Sequence, residues 1–315
     1  MSRRATHNFL PGFWRCRHCS TNNPIKADIT YYALMGVQVG CNICEKRADW
    51  FEITKQQISE NFMASAAFAC IGANTTTFSF ELQRSEAVTL RWSDYGIPDS
   101  ARIFHINFTP HGGEGVLYPT ERQGNSWTPH RNWEDKITLC ARPVGVNPPE
   151  SQLVHAGVAW IEKSDTDTAF MSLVTAFEAF AEQKYKDAIV PANVAVESMV
   201  SQFFNAYLPT HGIRKKTAEE FLQNAATYSY QLNVLLPLTC SLAGWPHLPS
   251  EIRVPLDRLR GQRNSVGHKG QLKTALDRDA MAELLTAALF GYRYVQLLQL
   301  AVEGKLPSMD ELEDE

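Results

Sequence analysis

The sequence predicts a multi-domain chain of mixed α and β structure. It has an N-terminal region built on paired cysteines, a central β-rich domain and a C-terminal α-helical bundle. Three observations carry this. Two Cys-x2-Cys pairs fall within the first 44 residues. From about residue 70 to 163 apolar residues alternate with a period of two, the mark of half-buried strands. From Ser164 to Gly304 they recur at three and four, the period of amphipathic helices. These textures set boundaries at 1–55, 56–163 and 164–304, with an acidic tail at 305–315.

Length and composition agree with this division. The chain has 315 residues, and roughly 100–200 residues per domain implies two or three domains. It is 44 % hydrophobic and 20 % charged, enough to bury real cores. The net charge of −4 excludes a generic polyanion binder. Residues 1–163 carry +1 and residues 164–315 carry −5, with five acids in the terminal DELEDE, which reads as a solvated tail. No run approaches the ~18 apolar residues of a membrane span. The first ten residues, MSRRATHNFL, have no apolar h-region, so secretion is not expected. Seven cysteines, four of them in tight pairs, point to a reduced, cytoplasmic protein rather than a disulfide scaffold.

The strands follow from alternation. They are predicted at 75–82 (TTTFSFEL), 87–92 (AVTLRW), 102–109 (RIFHINFT), 136–143 (KITLCARP) and 153–162 (LVHAGVAWIE), separated by turn-rich pieces. A β sandwich or a partly open barrel fits this set.

The paired cysteines carry the first chemistry. Cys16-Arg-His-Cys19 and Cys41-Asn-Ile-Cys44 each present two sulfurs from one tight turn, separated by a spacer of 21 residues. Two such turns complete a tetrahedral shell of four sulfurs, and four soft thiolates suit Zn2+ best among common metals. Four protein ligands leave no open position for water, so this zinc is predicted to be structural, with no catalytic metal. His18 is the only other ligand type within a knuckle. Arg15, Arg17, Lys46 and Arg47 flank the site, either as a nucleic-acid face or as compensation for the −2 of a Zn-thiolate centre.

The helical half carries the second. The run FMSLVTAFEAFAEQKYKDAIVPANVAVESMVSQFFNAYL is predicted to form two helices or one bent at Pro191. Thr217 followed by Glu220 predicts a capping box. Segments EIRVPLDRLRGQRNS and RDAMAELLTAALFGYRYVQLLQLAVEG complete four to six helices. Between them lies Arg263-Asn-Ser-Val-Gly-His268, in a stretch (251–270) that carries a local +3. Residues five apart on an unbroken helix differ by about 140°, so convergence of Arg263 and His268 is expected to need a break, and Gly267 offers one. Arg260, Asn264 and His268 share one helical stripe.

RNSVGH resembles the Arg-polar-x3-His motif of HEPN-domain ribonucleases. The preceding helix, AIVPANVAVESMVSQFF with acidic Glu197, is also similar to that family, and the resemblance covers about 164–304. A zinc ribbon and β region ahead of such a domain resembles anti-phage and abortive-infection effectors. The resemblance implies metal-independent RNA cleavage by attack of the 2′-hydroxyl on the adjacent phosphate. It implies His268 for proton transfer, Arg263 for the charged phosphorane, and Asn264 to orient His268 or bind phosphate. It further implies a homodimer with two motifs meeting across a two-fold axis, Glu197 holding Arg263, Arg260 in support, RNA as partner and a trigger or regulatory protein for restraint.

Other signals are weaker. His111-Gly-Gly-Glu-Gly115 lacks any accompanying G-x-S-x-G and reads as a Gly-rich turn. Cys70, Cys140 and Cys240 read as small buried hydrophobes. Trp127, His130 and Trp133 either pack or stack bases. The alternative to a nuclease is a non-catalytic adaptor that binds nucleic acid or protein and dimerises through its helices. A subunit of a larger nuclease complex is a third option.

Overall fold

The computed structural model describes residues 13–24, 39–59, 74–112, 115–121, 135–162, 168–181 and 183–304. The expectations for Cys70, Trp127, His130, Trp133 and the acidic tail fall outside them. The protein has a C-terminal helical region, small antiparallel sheets and a cluster of four cysteines near the N-terminus. It divides into two compact units. The central β segment, Gly72–Thr166, forms one. Phe13–Ile71 and Asp167–Glu315 together form the other.

In the β unit, the strands are β5 (Asn74–Gln83), β6 (Ala87–Arg91), β7 (Ala101–Pro110), β8 (Gly115–Glu121), β9 (Lys136–Gly145) and β10 (Ser151–Glu162). They build two three-stranded antiparallel sheets, in orders β5-β10-β7 and β6-β9-β8. Alternation places Phe80, Leu82, Val154, Ala156 and Val158 of one sheet and Leu90, Leu117, Ile137 and Leu139 of the other in a shared core. Trp92 and Ile97 close it. Ser79 and His155 face outward, 2.7 Å apart. Strand β8 was not anticipated. Gly115 at its start tolerates no side chain, since a Cβ there would lie 2.2 Å from the Val146 carbonyl oxygen.

In the other unit, β1 (Phe13–Arg15) pairs β2 (Asn22–Pro24), and β3 (Val39–Gly40) pairs β4 (Arg47–Ala48). Helix α1 (Trp50–Ser59) follows and runs across the boundary expected between residues 55 and 56. The C-terminal helices are α2 (Thr168–Ala181), α3 (Tyr185–Thr210), α4 (Lys215–Asn224), α5 (residues 228–243), α6 (Ser250–Lys269) and α7 (Arg278–Val302). Within α5, Gln231–Leu235 form a π turn. Helix α7 is the hub. Its residues Met281, Leu285, Ala288, Phe290, Tyr294 and Leu298 are buried on every side, as befits a central helix. Asp277 caps it, accepting from the Ala280 N–H at 2.8 Å. Helices α3 and α6 approach closely at Gly291, where a Cβ would meet Leu256 at 3.0 Å and Val196 at 3.3 Å. Helix α1 packs on α7 through Phe51 and Phe290, whose ring centroids are 5.9 Å apart. Burial of such rings stabilises by about 1.5–3 kcal/mol each. The cysteine-bearing segment is therefore anchored to the helices.

Three local expectations are corrected. Pro191 does not break its helix. The break lies between Ala181 and Tyr185, where Gln183 has φ +60°, and Pro191 sits within the second turn of α3, between buried Ile189 and Ala192. Thr217 does not open a capping box. Helix α4 starts at Lys215, after an N-cap Arg214 that makes no side-chain cap bond, which places Thr217 inside the first turn. Gly267 does not end its helix. Helix α6 continues through His268 to Lys269 and is terminated by Gly270, which adopts φ +66°.

Candidate functional site

The two cysteine pairs form matching knuckles. Cys16 N–H donates to the Thr21 carbonyl (2.9 Å) and Ser20 N–H to the Cys16 carbonyl (2.9 Å). In the second knuckle, Cys41 N–H donates to Lys46 (3.0 Å) and Glu45 N–H to Cys41 (2.9 Å). Ser20 and Glu45 both adopt the left-handed region, at φ 59° and 57°. These turns bring all four Sγ atoms within 4.8 Å of one another. Cys16–Cys44 and Cys19–Cys41 are separated by 3.6 and 3.5 Å. Four sulfurs bound at about 2.3 Å to one tetrahedral ion stand about 3.8 Å apart, so the spacing fits a shared metal and is far too long for disulfides. The donor set can hold a metal ion and leaves it no open position.

Backbone dipoles tune the sulfurs. The N–H groups of Cys44 and then Ile43 hold the Cys41 thiol down to about 6. At Cys44 the Lys46 N–H lowers the thiol, but burial and the neighbouring sulfurs of Cys16, Cys19 and Cys41 outweigh it and push it up to about 12. A cation among the four relieves that crowding, because it favours every thiolate at once.

Asn23, which nothing in the pattern of cysteines pointed to, ties the knuckles together. It is buried, accepts from the Asn42 N–H at 2.8 Å, and donates to the Thr21 carbonyl (3.1 Å) and to Cys41 Sγ (3.5 Å). Arg17 turns away from the sulfurs. Its Nε donates to Gln56 Oε1 at 2.9 Å, and the guanidinium pairs with Glu52 at 3.7 Å, linking the first knuckle to α1. His18 stays outside the sulfur cluster, with Nδ1 3.5 Å from Lys46 Nζ. Arg47 is exposed.

The second candidate lies where α3 and α6 meet. Arg263 Nη2 stands 3.9 Å from Glu197 Oε2, and its Nη1 donates to Asn264 Oδ1 at 3.2 Å. Glu197 is itself held by Asn193 Nδ2 at 2.9 Å. The Arg263 and Glu197 side chains are 40 % and 36 % exposed, so the guanidinium is oriented yet open to a ligand. One turn earlier, Arg260 pairs with Asp257 at 3.3 Å, and Asp257 also accepts from Asn233 at 3.1 Å. Tyr228 lies beneath. Burial first, then the charges of Glu197 and Asp257, push its phenol up, and among the described residues its hydroxyl has no hydrogen-bond partner.

Two features of the site depart from expectation. With α6 unbroken, Arg263 and His268 lie about 140° apart around the helix and about 7.5 Å along it, so they do not share a face within one chain. Asn264 accepts from Arg263, where the expectation was that it orients His268 or binds phosphate. His268 is exposed near the helix end. Two further residues act on the site without a sequence signal. Tyr228 floors it, and buried Gln262 clamps the following loop, accepting from Lys273 N–H (2.8 Å) and donating to Thr274 Oγ1 (2.7 Å). Cys240 is buried against the Tyr294 hydroxyl, whereas Cys140 is only half-buried.

Comparison with protein-family models, curated proteins and solved structures gave no match.

Proposed function

We propose that the protein is a HEPN-type, metal-independent endoribonuclease whose Cys16, Cys19, Cys41 and Cys44 hold a structural zinc ion. The observation that carries the reading is the half-exposed Arg263, oriented by Glu197 and Asn264. A fixed, planar guanidinium suits the charge that builds on a phosphorane.

The reaction needs no metal. The 2′-hydroxyl of RNA loses its proton and attacks the adjacent phosphorus. The P–O5′ bond breaks, leaving a 2′,3′-cyclic phosphate, and the departing 5′-oxygen takes up a proton to become a 5′-hydroxyl. His268 is the side chain that takes up and returns the proton, and Arg263 stabilises the intermediate charge. Because the two diverge on one helix, a complete site combines Arg263 of one protomer with His268 of a second copy across a two-fold axis. The zinc staples the knuckles and takes no part in the chemistry. A role in antiviral defence, with a regulatory partner restraining the activity, follows from the same resemblance.

The same divergence favours a second reading, in which the helices only dimerise and the chain is a nucleic-acid- or protein-binding adaptor. Incubation with total RNA in EDTA, with zinc retention checked by metal analysis, separates the two. The nuclease reading expects wild-type cleavage to fall by at least about a hundredfold in Arg263→Ala and His268→Ala. Equal cleavage by all three proteins, or none by any, supports the adaptor.

A further inference from the structure

Helix α5 and its flanks form an unusual surface. Residues 221–250 contain no Asp, Glu, Lys or Arg, where the chain average of 20 % would place about six. Yet the segment is not a buried one. Tyr230, Val234, Leu238 and Leu242 are 46, 42, 53 and 79 % exposed. They are spaced four apart and so line one side of the helix. The opposite side, with Tyr228, Leu232, Leu236 and Cys240, is buried in the bundle. The π turn at Gln231–Leu235 lies within this stripe, and such turns gather at functional positions.

We propose that this face of α5 is the surface through which two copies of the chain associate. The argument is one of charge. A two-fold interface sets each patch against itself, so any ionised side chain near the axis meets its own like charge. A surface that pairs with itself is thus expected to lose its charged residues, and thirty consecutive residues here have none. A heterologous partner imposes no such requirement. A lipid surface fits poorly, because helices that lie on membranes carry Lys and Arg along their polar edge. Four large apolar side chains on one face also make a contiguous exposed patch of the kind that marks association sites.

Position adds to this. Asn233 of α5 bonds to Asp257 of α6, and Asp257, Asn264 and His268 follow one another at seven and four residues along one stripe of α6. Pairing through α5 therefore brings the two α6 stripes to the edge of the interface. This step rests on the proposed two-copy nuclease site, whereas the interface itself does not.

Sedimentation of the full-length protein tests the proposal. Wild type is expected to be a dimer at micromolar concentration. Leu238→Glu and Leu242→Glu each place two like charges in the interface and should weaken association by about a hundredfold or more, halving the observed mass with the circular dichroism unchanged. The control Val146→Glu, on the exposed part of the β unit, should remain dimeric. A monomeric wild type, as expected if another protein or another part of this chain covers α5, overturns the proposal. So does a dimer indifferent to both substitutions. A dimer that dissociates as predicted but never cleaves RNA keeps the interface and removes only the nuclease.

Discussion

Glu197 of α3 and Arg263 of α6 face one another at 3.9 Å, and the same Glu197 oxygen accepts from Asn193 at 2.9 Å. The carboxylate is fixed by its own helix and in turn directs the guanidinium of another. Two helices therefore set the angle of one cationic fork.

This arrangement predicts a split between stability and activity. Glu197→Gln keeps an acceptor for Asn193 but removes the charge. Because the pair is half-exposed, stability should change by less than about 1 kcal/mol. Cleavage should fall about tenfold, mainly in kcat, as the fork loses its alignment. Arg263→Lys keeps the charge but not the planar fork and should lose about a hundredfold. Denaturant titration and single-turnover cleavage of one RNA check both.

The cysteine cluster predicts about one zinc per chain by elemental analysis. Asn23→Ala removes the bond between knuckles and the donor to Cys41, and metal affinity should fall about 10–100-fold in a chelator competition. Cys→Ser at any ligand should lower the melting temperature. A fully folded, metal-free protein with unchanged stability would contradict this.

The two glycines near the end of α6 predict opposite effects. Gly267 is helical with open space around its Cα, so Gly267→Ala should stabilise by up to about 1 kcal/mol. Gly270 sits at φ +66°, and Gly270→Ala should destabilise by about 1 kcal/mol. Thermal unfolding distinguishes them. The reverse order would move the helix end back to Gly267.

That pair also shows where the sequence was readable. Either glycine is an acceptable helix stop by composition. The choice is made by Gln262, whose side chain clamps Lys273 and Thr274 and so fixes where the chain turns back. No local pattern encodes a contact across such a loop. Strands such as 102–109 were legible because their inward residues are apolar and outward ones mostly polar. Strand β8 was not, since its outward residue is Tyr118 and an inward one is Pro119, which conceals the alternation. The four cysteines were legible as a cluster because two Cys-x2-Cys turns each present a pair of sulfurs, whereas Asn23 serves them through a fold-dependent contact. Pro191 misled because its cost within α3 is offset by packing that only the bundle supplies.

Subunit complementation tests the central claim most directly. Arg263→Ala and His268→Ala are each prepared inactive, mixed, and allowed to exchange subunits before RNA is added. If a site draws Arg263 from one copy and His268 from the other, each mixed dimer holds one intact site, and the mixture recovers a substantial part of wild-type cleavage. Silence of the mixture, with exchange verified by mass, contradicts the account, as does full activity in either variant alone.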